Sequence, residues 1–120
     1  MNYMLLMYLP EGESVPPEDE VLTACAIPVI ERTVAKGQFL AAGLLRPTST
    51  STSVRVREGA RLVTDGPFAE TREQIAGYLM IEAKDLDEAI LVASEHPAAL
   101  GGTVEIRPVL PLFPEAREDR

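Results

Sequence analysis

Two segments of this chain are apolar at nearly every position. Asn2 to Tyr8 reads Asn-Tyr-Met-Leu-Leu-Met-Tyr, and Ala76 to Ala83 reads Ala-Gly-Tyr-Leu-Met-Ile-Glu-Ala. Half-buried strands alternate apolar and polar residues, whereas strands covered on both faces do not alternate. Both segments are therefore expected in the middle of a sheet, covered on each side. Each is followed by a helical pattern and then by another strand pattern, so the chain is organised around a sheet with helices laid on it.

In order, the first strand ends at Pro10-Glu11-Gly12, and a polar loop runs to Pro17. A helix is predicted to start at Pro17, since proline suits a first helical position. Glu18, Asp19 and Glu20 place negative charge at the positive end of its dipole. Leu22, Cys25, Val29 and Ile30 keep helical spacing, and Gly37 is placed to end the helix. Pro28 removes one hydrogen bond inside it and predicts a kink. Phe39 to Leu45 is a second strand, with Gly43 allowing a bulge or a close approach. Ser53 to Arg57 alternates, which predicts one buried and one polar face. Glu58-Gly59-Ala60 turns the chain into Arg61 to Thr64, giving a β-hairpin.

Asp65-Gly66-Pro67-Phe68 then reads as a turn. Gly66 has backbone freedom, Pro67 fixes its own φ, and the Asp65 carboxylate is placed to accept backbone N–H groups. Thr71-Arg72-Glu73-Gln74 has the spacing of a capping box and predicts a short helical turn. After the strand at Ala76 to Ala83, Asp85 caps a helix whose apolar stripe is Leu86, Ala89, Ile90 and Ala93. Pro97 ends that helix just after His96. Thr103 to Arg107 alternates as a last strand, and residues 111–120 form a charged tail beyond a single domain spanning residues 1–110. With the hairpin set aside, the order is βαββαβ, a ferredoxin-like α+β pattern with two helices on one sheet face. The other face is apolar too, and a second copy is the simplest cover for it, as a homodimer.

Composition limits the partners. Acids outnumber Lys plus Arg 19 to 11 for a net charge of −8, which argues against direct contact with nucleic acid or an anionic membrane surface. One cysteine, Cys25, excludes an internal disulfide and fits a cytoplasmic location. No apolar run approaches the roughly 20 residues that a bilayer requires.

Tyr3-Met4-Leu5-Leu6-Met7-Tyr8, the central Val63-Thr64-Asp65-Gly66-Pro67-Phe68-Ala69-Glu70-Thr71-Arg72-Glu73, the Gly77-Tyr78 strand and the ending Thr103-Val104-Glu105-Ile106-Arg107-Pro108 resemble the DGPF-type branch of the YCII-related family. The resemblance runs from Asn2 to about Val109. It implies a ferredoxin-like domain forming a dimeric α/β barrel. It also implies association, in some members, with extracytoplasmic-function sigma factors. Founding members carry a His–Asp pair proposed as catalytic, with the histidine in the first helix. Residues 18–37 here contain no histidine, so that pair does not carry over.

The site candidates follow from residue chemistry. Asp65 is either a turn cap or a carboxylate beside a cleft, acting as base or ligand contact. His96, the sole histidine, sits where a helix dipole favours its charged form, or else works with Asp65 in proton transfer. Gly66, Pro67, Phe68 and Tyr78 are expected to line the cleft, and Arg46 to meet an anionic ligand. One His and one Cys on different helices give no metal-ligand spacing, and no cofactor fingerprint is present. Three functions fit: binding a small, anionic organic molecule; cofactor-independent catalysis by Asp65 with His96; or an accessory role through protein–protein contact.

Overall fold

The computed structural model describes residues 1–10, 18–69 and 71–112, with backbone alone for 18–23 and for Cys25. The elements are β1 (Asn2–Pro10), α1 (Glu18–Ala35), β2 (Phe39–Leu44), a 3-10 turn (Thr48–Thr50), β3 (Thr52–Arg57), β4 (Ala60–Asp65), β5 (Glu73–Glu82), α2 (Leu86–Glu95), α3 (Ala98–Gly101) and β6 (Thr103–Val109). The expected role of Pro17, the packing of Leu22 and Cys25, and the tail beyond residue 112 lie outside the described residues.

Four strands form an antiparallel sheet in the order β2-β5-β1-β6. With helical crossings between β1 and β2 and between β5 and β6, this is an α+β arrangement consistent with the ferredoxin-like pattern. The two apolar segments are the central strands, as their composition requires. Register puts Tyr3 beside Ile81, Leu5 beside Leu79 and Met7 beside Gly77 on one face. Val29 of α1 and Ala89, Val92 and Ala93 of α2 close over that face to make the core.

The other face carries apolar residues and no helix, as the βαββαβ order leads one to expect. Met4, Leu6, Tyr8, Tyr78 and Met80 point away from the helices and are only half-buried. Among the described residues, helices cover β1 and β5 on one face alone, because α1 and α2 pack on the same side. The second apolar face is left half-buried.

α1 ends as its sequence predicts. Gly37 takes φ 72°, its N–H bonds Val34 O at 3.0 Å, and the Gln38 N–H bonds Thr33 O at 2.8 Å, the paired closure of a Schellman motif. The helix runs on through Pro28, which lies on its exposed side. Of the two options at Gly43, the structure takes the close approach: a Cβ there would sit 2.8 Å from the Tyr78 ring, while the bulge in β2 falls between Phe39 and Ala41.

Three local expectations are corrected. Thr71-Arg72-Glu73-Gln74 forms no helical turn; the Thr71 hydroxyl donates to Glu73 O and β5 begins at Glu73. The capping spacing is short, and pairing of the apolar segment with β1 overrides it. The stripe of α2 is rotated: Ala89, Val92 and Ala93 are buried, whereas Leu86 and Ile90 are about half exposed. Asp85 does cap α2, its Oδ1 accepting the Glu88 N–H at 2.9 Å. Finally, β3 and β4 pair in a separate two-stranded ribbon, joined by Glu58 and Gly59 at φ 51° and 78°. Neither face of that ribbon is buried, because it stands off the four-stranded body and packs extensively on no other element.

Candidate functional site

The sequence candidates fall in two places. Asp65, Gly66, Pro67 and Phe68 lie at the base of the ribbon. Tyr78 and His96 lie at the body, where β5 meets the end of α2.

At the ribbon base, β4 ends on Asp65 opposite Thr52. The turn is closed by its neighbours: the Gly66 N–H bonds Ser51 O at 2.9 Å, and the Ser53 hydroxyl donates to Gly66 O at 2.8 Å. Gly66 takes φ 101°, a conformation that L side chains rarely adopt. Asp65 does not cap this turn. Its carboxylate is exposed and makes no hydrogen bond or ion pair among the described residues. The Gly66 N–H is already taken by the backbone carbonyl of Ser51. Phe68 is 76% exposed, and the Arg55 guanidinium stacks over its ring at 4.9 Å from the centroid. Arg46 is exposed just beyond β2 and is already partnered.

At the body, two adjoining hollows of about 110 and 180 Å³ open between α1 and the sheet. They share Met7, Ala26, Leu44 and His96 in their walls. Tyr78 lines the smaller, and Pro97 and Ala98 line the larger. None of Asp65, Gly66, Pro67, Phe68 and Arg46 lines either hollow, so the two catalytic candidates do not meet in them.

His96 is the buried polar group of these walls, 7% exposed. Its Nδ1 accepts the Ala98 N–H at 3.0 Å. That nitrogen therefore carries no proton, and the hydrogen of the neutral ring sits on Nε2. Nε2 is buried and has no partner among the described residues. Burial lowers the pKa of the ring below its ordinary value. The expectation of a charged histidine favoured by the helix dipole is therefore corrected: protonation would cost the Ala98 bond and strand a charge among apolar side chains. An unsatisfied buried donor of this kind costs about 1–3 kcal/mol.

Sequence reasoning placed His96 at a helix end and missed its burial. The signal was available in the spacing Ala89, Val92, Ala93, His96, which is i, i+3, i+4, i+7 and marks one helix face. The apolar walls supplied by Met7, Ala26 and Leu44 had no such signal, since they come from three separate elements.

Tyr8 lies on the open face of the sheet. Its hydroxyl donates to Glu105 Oε1 at 3.1 Å, and partial burial together with that bond raises its pKa. Among the described residues no group of three or more His, Cys, Asp or Glu side chains is arranged to hold a metal ion. No helix among them is long and apolar enough to cross a membrane.

The uncharacterized protein R00369 of Rhizobium meliloti (strain 1021) is 34% identical over 118 residues, covering 91% of this chain and 92% of that protein. The family model of the YCII-related domain matches residues 1–113. A match over nearly the whole chain, on a sheet and helices of this order, shows that the chain belongs to the YCII-related family.

Proposed function

We propose that this protein, a YCII-related chain of the DGPF type, acts in the cytoplasm as a homodimer that holds a small, anionic organic ligand beside the Asp65–Phe68 turn. The observation that carries this reading is that the ribbon bearing the turn is exposed on both faces and is packed extensively by no other element among the described residues. A lone two-stranded ribbon is marginally stable in water. Register puts Val54, Val56 and Val63 on one of its faces, all more than half exposed. The same chain leaves Met4, Leu6, Tyr78 and Met80 open on the sheet. A second copy covers both surfaces, sheet to sheet, with the ribbon reaching across as in a dimeric α/β barrel. Arg107 and Glu105, close together on the edge strand beside Tyr8, supply opposite charges that a twofold axis brings into register.

The turn is half of a site in one copy. The Asp65 carboxylate makes no hydrogen bond or ion pair among the described residues, and Arg55 over Phe68 presents a cation on an aromatic platform. Closed by the second subunit, this group accepts an anionic end at Arg55 and a donor at Asp65.

The test is light scattering coupled to gel filtration, followed by ligand-observed NMR with a panel of small organic acids. The wild type runs as a dimer and Leu6→Glu as a folded monomer. Acids that bind the wild type lose binding in Asp65→Asn and in Phe68→Ala. A wild type that is monomeric from micromolar to millimolar concentration sinks the reading. So does acid binding that both turn variants leave intact.

A further inference from the structure

Among the described residues, four strand edges have no neighbour: β2 and β6 at the sides of the sheet, and the outer sides of β3 and β4 in the ribbon. Bonded and non-bonded pairs alternate along an antiparallel ladder, so a single bond fixes the phase of a strand. The Leu45 N–H bonds Ala76 O at 2.9 Å; Gly43 and Ala41 therefore bond β5, and the N–H and C=O groups of Ala42 and Leu44 point outward. The Gly66 N–H bonds Ser51 O; Ser53, Arg55 and Arg57 therefore bond β4, and the backbone groups of Thr52, Val54 and Val56 point outward.

The four edges differ in chemistry. Charges and prolines blunt an edge against strand addition. By the same phasing, β6 has Pro108, which lacks an N–H, at an outward position, with Arg107 and Glu105 beside it. β4 has Arg61 and Asp65 at its outward positions. β2, reading Phe-Leu-Ala-Ala-Gly-Leu, has neither charge nor proline, and the outward positions of β3 are uncharged.

We infer that β3 of one copy adds antiparallel to the outer edge of β2 in a second copy, and that Tyr78 of the partner subunit thereby completes the site at the turn. The inference rests on the dimer reading above and supplies its contacts. The ribbon leaves the chain between the end of β2 and the start of β5. Its six-residue strands reach about 20 Å, against about 10 Å between two stacked sheets. Pairing Val54 with Leu44 and Val56 with Ala42 uses all four outward N–H groups. It also lays the exposed Val54 and Val56 on the side of the sheet where Ile27 and Leu44 stand partly exposed. Arg55 then falls opposite Gly43 of the partner subunit, on the open face. There the Tyr78 ring leans over Gly43: a Cβ on that glycine would lie 2.9 Å from the phenol oxygen, which makes no hydrogen bond among the described residues. The hydroxyl of one copy and the guanidinium of the other converge as two donors for one anionic group. Tyr78 and Phe68, which lie apart within one chain, thus meet across two.

The test reads the whole chain. Hydrogen exchange of backbone amides is followed by NMR at millimolar concentration, with light scattering on the same sample. The amides of Ala42, Leu44, Val54 and Val56 are expected to exchange at least about tenfold more slowly than in monomeric Leu6→Glu. A dimer mixed from labelled and unlabelled wild-type chains is expected to show a strong cross-chain NOE between the Hα protons of Gly43 and Arg55, the close contact of a non-bonded pair. That NOE needs no variant. Benzoate and succinate are expected to bind Tyr78→Phe about tenfold more weakly than the wild type.

A dimer without the NOE, in which the four amides exchange as fast as in the monomer, overturns the strand addition and leaves the dimer reading standing. Slow exchange at Ala42 and Leu44 alone means that two β2 edges pair, and overturns the role of the ribbon. Slow exchange at Arg61 and Val63 in place of Val54 and Val56 overturns the choice of β3. Slow exchange that persists in Leu6→Glu puts the ribbon on its own chain and overturns the second copy. Unchanged affinity of both acids in Tyr78→Phe overturns the role of the hydroxyl. A wild type that scatters as a monomer at every concentration removes the dimer reading itself, and this inference with it.

Discussion

At the scale of single residues, Asp65 and His96 have exchanged characters between sequence and structure. Asp-Gly before Pro is turn chemistry in the sequence, so Asp65 reads first as a cap. In the fold, Ser51 and Ser53 close the turn instead. Asp65→Asn should therefore change unfolding free energy by less than about 0.5 kcal/mol in urea titrations. Ser53→Ala, which removes the bond to Gly66 O, should cost about 1 kcal/mol. His96 moves the opposite way, from an exposed helix end to a buried neutral ring, and this has a pH consequence. Its folded pKa lies below the unfolded value of about 6.5. The unfolded chain thus binds the proton more readily, and the contribution of the neutral ring is full above pH 6.5. It is lost as pH falls from there toward the lowered folded pKa. Urea midpoints of the wild type should drop between about pH 6.5 and 5 more steeply than those of His96→Gln, which has no proton to bind there. Parallel curves for the two proteins would mean that His96 titrates as an exposed group.

At the scale of elements, most of the fold was legible where a segment's pattern and its tertiary partner agreed. The central strands, the Gly37 stop of α1 and the Asp85 cap of α2 were all readable from local chemistry. The errors came where a four-residue signal opposed a longer one. The capping spacing at Thr71 lost to a ten-residue strand paired along β1. The phase of α2 was ambiguous because Leu86, Ala89, Ile90 and Ala93 share helical spacing with Ala89, Val92, Ala93 and His96, and packing alone selects between them. The short helix α3 had no caps in sequence to announce it. Glycine spacing shows the same dependence on neighbours. A Cβ on Gly102 would run into the backbone oxygen of Tyr8, and neither segment can retreat without breaking the β1–β6 pairing. A Cβ on Gly43 would meet the ring of Tyr78, a side chain and not backbone, which can give way by a rotamer change. Gly102→Ala is therefore expected to cost about 3 kcal/mol or more, and Gly43→Ala about 1, by chemical denaturation. Equal costs would mean that the Tyr78 ring is held as firmly as the backbone.

At the scale of the whole molecule, the chain does not bury what it carries. Its Cα radius of gyration is 16.3 Å, against about 14 Å for a compact domain of this length. Among the described residues one apolar sheet face is only half-buried, and both faces of the ribbon are exposed. The sequence announced those apolar residues, and its βαββαβ order already implied both helices on one sheet face; it could not say that the ribbon would stand off the body, since that depends on tertiary packing and not on local pattern. If a second copy supplies the missing cover, folding and association are one equilibrium. The melting temperature of the wild type must then rise with protein concentration, because mass action stabilises the dimer against unfolded chains. Raising concentration about a hundredfold should shift the wild-type midpoint upward by several degrees. The Leu6→Glu variant sets a carboxylate on the open face and should melt lower, with a midpoint that ignores concentration. A wild-type midpoint equally indifferent to concentration would mean that the open face is covered by another molecule or by nothing. The proposed site at Asp65 would then lack the second subunit that is meant to close it.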